Sequence, residues 1–167
     1  VMRIQIETYY ALEEAETQRR FASVFGTRAA EATELYEALV AGTVHHRWTA
    51  VDSDKGFLMP AVELAEARWA HSEDTWMYLF AWPTTAIDGR LGAYHTLEIP
   101  FVFNSLDRGA APRITGGPPD DARQLALCMH GAWASFARVG DPSAEGLAQW
   151  PRYEHRERST MVFDTTC

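Results

Sequence analysis

The sequence predicts an α/β fold in which helices pack on a few strands of a mostly parallel sheet. Residues 75–82 (TWMYLFAW) would place apolar side chains on both faces of a strand. Such a pattern is typical of a strand that is buried on both sides in a helix-covered sheet. Several other segments carry apolar residues three and four positions apart, as amphipathic helices do. With 167 residues, 47% of them hydrophobic and 23% charged, the chain is long enough to bury the core of one domain.

Three helices are predicted before this strand. Residues 11–25 are rich in Ala, Glu, Gln and Arg, which favour helix, and Gly26 provides a natural end. Residues 28–39 place apolar side chains at helical spacing. Residues 59–71 also carry an apolar face, and Pro60 suits a first helical turn.

The clearest helix is predicted after the strand. Asp121 can cap its N-terminus, with Gln124 three residues later, and Gly140 ends it. Its apolar residues follow helical spacing and form a core-facing stripe of Leu125, Cys128, Met129, Ala132, Trp133 and Phe136. Cys128 is therefore expected to be a buried and unreactive thiol.

Two shorter segments complete the predicted layout. Residues 109–119 are rich in Pro and Gly and predict a loop. Residues 161–164 (MVFD) predict a short edge strand. No internal repeat interrupts this order of elements.

Charge and composition exclude several classes of partner. The net charge is −8 and the basic residues are scattered, so a nucleic-acid partner is not expected. No apolar run approaches the 18 or so residues that a membrane-spanning helix needs, and no signal peptide is visible. His45 and His46 are adjacent and lack a Cys or carboxylate at ligand spacing, so we interpret them as surface or loop histidines and expect no metal or cofactor.

His95 is the candidate catalytic residue, within residues 92–103 (GAYHTLEIPFVF). It lies in the connection that leaves the predicted C-terminal end of the central strand, where functional loops of open α/β sheets gather. A histidine beside an apolar run can equally be part of the core. The position in the chain alone leaves both interpretations open.

Three motifs carry a resemblance to a known family. They are GAYHTLEIPFVFNSLD (residues 92–107), WASFARVGDPSAEGLAQWPRY (residues 133–153) and STMVFD (residues 159–164). In this order and spacing they resemble the C-terminal third of the type B carboxylesterase/lipase family, which includes para-nitrobenzyl esterases and cholinesterases. The resemblance implies that the chain is the C-terminal part of an α/β-hydrolase fold.

The resemblance also implies an activity and site residues. The expected substrate is a small-molecule ester, and His95 is expected to be the triad histidine, which acts as general base and then as general acid. Glu98 is expected to play a supporting role. Glu7 is the only nearby candidate for the triad acid within the chain.

The sequence departs from the family in two respects that bear on activity. No G-x-S-x-G motif and no Gly-rich oxyanion-hole segment occurs in the 167 residues. We therefore expect the N-terminal part of the fold, with its nucleophile, to be supplied in cis or as another chain, and the segment alone to be inactive. The alternative is a non-catalytic, cholinesterase-like binding module, which would have no use for His95.

Overall fold

The computed structural model describes residues 11–117 and 119–166. Its Cα positions divide into two compact units, residues 1–64 and residues 65–167. Each unit has its own cluster of buried side chains. Within the described residues, no helix is both long and apolar enough to cross a membrane.

The first unit is helical. Helices α1 (Glu14–Phe25) and α2 (Ala29–Leu39) are joined by a short 3₁₀ turn, and α3 (Val44–Ser53) continues through a π-helical turn into α4 (Met59–Trp69), whose last residues belong to the second unit. Its core is formed by Phe21, Ala32, Trp48 and Val51. The helices predicted at residues 11–25, 28–39 and 59–71 are confirmed with small shifts of their ends.

Helix α3 was not predicted from the sequence. Its segment VHHRWTAVDS mixes histidine, tryptophan and β-branched residues, whose intrinsic helix propensity is modest. The helix begins instead from a capping box, in which the Thr43 hydroxyl bonds the backbone of His46 and the His46 ring accepts from the Thr43 backbone N–H. Trp48 and Val51 then pack into the core of the unit.

The second unit holds a two-stranded parallel sheet. Strands β1 (Met77–Phe80) and β2 (Thr160–Phe163) pair with Met77 opposite Thr160, and the Ala81 N–H donates to the Phe163 carbonyl at 2.7 Å. In chain order, β1 and β2 are separated by the short helices α5 (Ile99–Val102) and α6 (Ala111–Thr115) and the long helix α7 (Asp120–Val139). The α/β prediction, with helices on a small parallel sheet, is confirmed.

The core of the second unit joins the sheet to α5 and α7. Buried side chains from these elements and from the segments beside them meet there, among them Trp82, Leu97, Phe101, Leu125, Met129, Trp150 and Phe163. Trp150 donates its indole N–H to the Met77 carbonyl at 3.1 Å, which satisfies a polar group inside this aromatic cluster.

The structure corrects the predicted strand and loop. The central strand covers four residues rather than eight, and Tyr78 and Leu79 are 38% and 44% exposed, so in this chain it is not buried on both faces. The predicted edge strand exists, and it pairs with β1 in parallel. The segment at residues 109–119, predicted as a loop, contains helix α6.

The structure also corrects details of helix α7. Its N-cap is Pro119, and Asp121 lies in the first turn, where its carboxylate accepts from the Ala122 N–H. Phe136 was expected to face the core and is 49% exposed. Cys128 is buried, as expected.

Candidate functional site

His95 lies on an exposed turn that follows the C-terminal end of β1. The chain leaves β1, passes through a 3₁₀ turn at Ala86–Gly89 and reaches His95 just before helix α5. The neighbouring Leu97 and Phe101 are completely buried, whereas the imidazole is on the surface. Within this chain His95 is therefore not part of the buried core.

The C-terminal side of the His95 turn is fixed by helix α5. The Leu97 N–H donates to the Tyr94 carbonyl at 3.1 Å, and the Glu98 carbonyl accepts from Phe101 and Val102 at 3.0 Å each. Because Leu97 and Phe101 are anchored in the core, this short helix holds the backbone that follows the histidine.

Helix α5 is in turn tied to α7. A nitrogen of the exposed His130 ring (Nδ1) lies 3.0 Å from the Val102 carbonyl and can donate to it. His130 is therefore a second histidine near the segment that carries His95, and its ring joins α7 to α5. No pattern in the sequence indicates this contact, since the two residues are far apart in the chain.

Glu98 is half-buried at the N-terminal end of α5, three residues after His95. Burial, and after it the negative charge of Glu98, raises the pKa of Tyr78 above its ordinary value. Within the part of the chain that the structure describes, the Glu98 carboxylate accepts no hydrogen bond. The supporting role of Glu98 stays a prediction.

The candidate triad acid, Glu7, lies outside the described residues. Its role as the partner of His95 therefore stays a prediction that rests on the resemblance alone.

His45 and His46 differ from what the sequence suggested. His45 is 6% exposed and lies in helix α3, so the interpretation as a surface or loop histidine is wrong for it. His46 is exposed, and its ring closes the capping box with Thr43. Across residues 11–117 and 119–166, no group of three or more His, Cys, Asp or Glu side chains is arranged to hold a metal ion.

Comparisons with known proteins agree on one family. A family model described as "Carboxylesterase family" matches residues 6–167. The chain is 35% identical over 141 residues to the para-nitrobenzyl esterase of Bacillus subtilis strain 168, which covers 82% of this chain and 26% of that protein. It is 32% identical over 142 residues to the phenmedipham hydrolase of Pseudarthrobacter oxydans, which covers 83% of this chain and 28% of that protein.

The similarity extends to solved structures. A Geobacillus stearothermophilus carboxylesterase superimposes with a TM-score of 0.81 and 27% identity, over 99% of this chain and 34% of that one. The predicted fold class, part of an α/β-hydrolase fold, is confirmed by this similarity. The chain spans only about a quarter of the length of these two curated relatives.

Proposed function

Because the chain belongs to the carboxylesterase family, we propose that it forms part of a serine carboxylesterase and supplies the histidine of the catalytic triad. The observation that carries the proposal is the position of His95. It is exposed on the turn after a parallel strand, inside the residues that the family model matches. In α/β sheets, the loops that follow the parallel strands are where catalytic residues gather.

The chemistry explains why an exposed imidazole is needed there. A serine hydroxyl is a weak nucleophile until a base takes its proton, and the imidazole of His95 is that base. The serine oxygen attacks the ester carbonyl, the protonated imidazole donates its proton to the leaving alkoxide, and an acyl-enzyme forms. Water, activated by the same imidazole, then releases the carboxylic acid and regenerates the serine.

The other parts of the site come from outside the described residues. The nucleophile and the oxyanion donors belong to the rest of the fold, in cis or on another chain, since the 167 residues contain no G-x-S-x-G motif. Glu7 is our candidate for the acid that orients His95, and Glu98 for a supporting residue. The substrate class is a small-molecule carboxylic ester.

The test compares the complete protein, meaning this chain together with the rest of its fold, before and after loss of the imidazole. His95→Ala should lower kcat on p-nitrophenyl butyrate by roughly a thousandfold or more, as loss of a triad member does. His71→Ala is the matched control, because His71 is also an exposed histidine and lies just beyond helix α4. Equal activity of the two variants would contradict the proposal.

The 167-residue chain by itself gives a second test. Without a nucleophile and oxyanion donors it should hydrolyse the same ester no faster than free imidazole does. Faster turnover that disappears in His95→Ala would show that the chain is a complete catalyst. A complete protein with no esterase activity at all would favour the binding-module alternative.

A further inference from the structure

The backbone carbonyls at the C-terminal end of helix α6 have no hydrogen-bond donor within the helix. The helix ends at Thr115, and Gly116 follows in the left-handed conformation with φ of 80°. The last carbonyls of a helix have no intrahelical N–H partner and need donors from elsewhere. In this structure the donors for the Ile114 and Thr115 carbonyls come from the segment that precedes His95.

Two side-chain hydroxyls donate to the Ile114 carbonyl. The Thr84 hydroxyl lies 2.7 Å from this oxygen, and the Tyr94 hydroxyl lies 3.3 Å from it. The residues are ten positions apart and lie at the two ends of the loop that leads from β1 to His95. One carbonyl oxygen therefore closes this loop at both ends.

Thr84 has further bonds within the same loop. Its side chain is 1% exposed, its hydroxyl accepts from the Ala86 N–H at 3.0 Å, and its own N–H donates to the Gly92 carbonyl at 3.1 Å. A buried hydroxyl that both donates and accepts leaves no donor unpaired, and such groups favour one arrangement of the chain. Thr84 thus binds both the beginning of the loop and the residue three positions before His95.

Tyr94 is the residue directly before His95 in the chain. Its ring is half-buried, and burial raises the pKa of its phenol, which keeps the hydroxyl a neutral donor over a wide pH range. Its carbonyl accepts from the Leu97 N–H at 3.1 Å. Tyr94 is therefore held through its side chain by α6 and through its backbone by the turn that enters α5.

We infer that Tyr94 and Thr84 are positioning residues that hold His95 for catalysis by binding its loop to the C-terminal end of α6. The inference rests on the proposed function of His95. Catalytic groups must be held to within roughly half an ångström of the productive geometry, and loops are mobile unless they are tied to a scaffold. Loss of the Tyr94 hydroxyl should let the histidine occupy unproductive positions more often.

The kinetic test uses the complete protein. Tyr94→Phe removes only the hydroxyl and should lower kcat about tenfold with KM unchanged, because the substrate still binds while the base is misplaced. Thr84→Val should act in the same direction, and Thr84→Ser, which keeps the hydroxyl, should restore most of the activity. Tyr36→Phe is the matched control, since it deletes another tyrosine hydrogen bond, 2.7 Å long and made to Asp54 in the first unit.

A second measurement does not depend on activity. In the 167-residue chain, the Thr84 and Leu97 amides are bonded to Gly92 and Tyr94 and report on closure of the loop. Their hydrogen exchange should be about tenfold faster in Tyr94→Phe than in the unmodified chain, and unchanged in Tyr36→Phe.

The outcomes separate this inference from the proposed function. If His95→Ala is inactive while Tyr94→Phe keeps full kcat, the positioning role is wrong and the function of His95 stands. The positioning role is also wrong if Tyr36→Phe lowers kcat as much as Tyr94→Phe does. If His95→Ala keeps full activity, the proposed function fails and the positioning role fails with it, whatever the exchange rates show.

Discussion

Leu79 of β1 lies beside Val162 of β2 in the parallel sheet, and the two side chains are 44% and 50% exposed. On the opposite face of the sheet, Trp133 of α7 packs edge-on against Tyr78 with 4.9 Å between ring centroids. Parallel sheets are almost always covered on both faces. The face formed by Leu79 and Val162 is therefore open in this chain, and we expect another element to cover it.

We predict that the 167-residue chain associates with itself through this face. Replacing both residues by threonine should weaken the association by tenfold or more, because each apolar side chain contributes on the order of 1 kcal/mol when it is buried. Sedimentation velocity over a range of concentrations measures the effect. Val139→Thr is the matched control, an equally conservative change at an exposed valine at the end of α7. A monomeric chain, or an equal effect of the control, would contradict the prediction.

Local sequence signals were enough for most of the helices. Gly26 and Gly140 adopt positive φ values of 57° and 76° directly after α1 and α7, where the sequence predicted the ends of these helices. Helix α3 was missed because its first turn depends on a bond between Thr43 and a histidine ring rather than on the usual Glu or Gln. Propensity and spacing do not contain that information.

Contacts between distant residues explain what the sequence could not predict at the site. The surface position of His95 agrees with its place after a strand. Its attachment to α6 depends on two hydroxyls that meet the Ile114 carbonyl from 20 and 30 residues away. That attachment requires α6, and the proline and glycine around this short helix predicted a loop instead.

Gly116 provides a test of how closely the His95 loop approaches α6. Its φ is +80°, and a Cβ at this position would meet Thr85 Oγ1 and lie 2.5 Å from the Ala86 nitrogen. Gly140 has a similar φ of +76° and open space around it. Gly140→Ala should cost about 1 kcal/mol of unfolding free energy from backbone strain alone. Gly116→Ala should cost about 2 kcal/mol more because of the steric conflict.

Urea unfolding of the two alanine variants measures this difference. Gly140→Ala serves as the control, because it carries the same change in backbone freedom without the close approach. Equal costs for the two substitutions would mean that the segment at Thr85 and Ala86 moves away easily, and that the loop is not held firmly against α6.

Tyr36 gives a prediction about stability at alkaline pH. Burial, followed by the hydrogen bond to Asp54 and its charge, raises the pKa of Tyr36 to about 12. An unfolded tyrosine ionises near pH 10, so the contribution of Tyr36 is fully present below about pH 10 and is lost as the pH rises toward 12. Tyr36→Phe should be less stable at neutral pH and lose less stability across this range.

The measurement is the thermal midpoint between about pH 9 and pH 12, in which range the folded and unfolded pKa values lie. Asp54→Asn is an intermediate case, because it keeps an oxygen acceptor for the Tyr36 hydroxyl and removes the charge. The fall of its thermal midpoint with pH should therefore lie between those of the unmodified chain and Tyr36→Phe. If the thermal midpoints of all three proteins fell equally with pH, the predicted contribution of Tyr36 to stability would be contradicted.

The last prediction separates the roles of His95 and Glu98 in the complete protein. His95 is exposed, so His95→Ala should change the free energy of unfolding by no more than about 0.5 kcal/mol while kcat collapses. Glu98→Gln should lower kcat far less. It should also bring the pKa of Tyr78 closer to its ordinary value, although burial, the larger cause, still holds that pKa high. Ultraviolet titration of the phenol measures this shift, with Glu145→Gln, an exposed glutamate of the same unit, as the control. A loss of kcat in Glu98→Gln as large as that in His95→Ala would make Glu98 a member of the catalytic machinery and would contradict its supporting role.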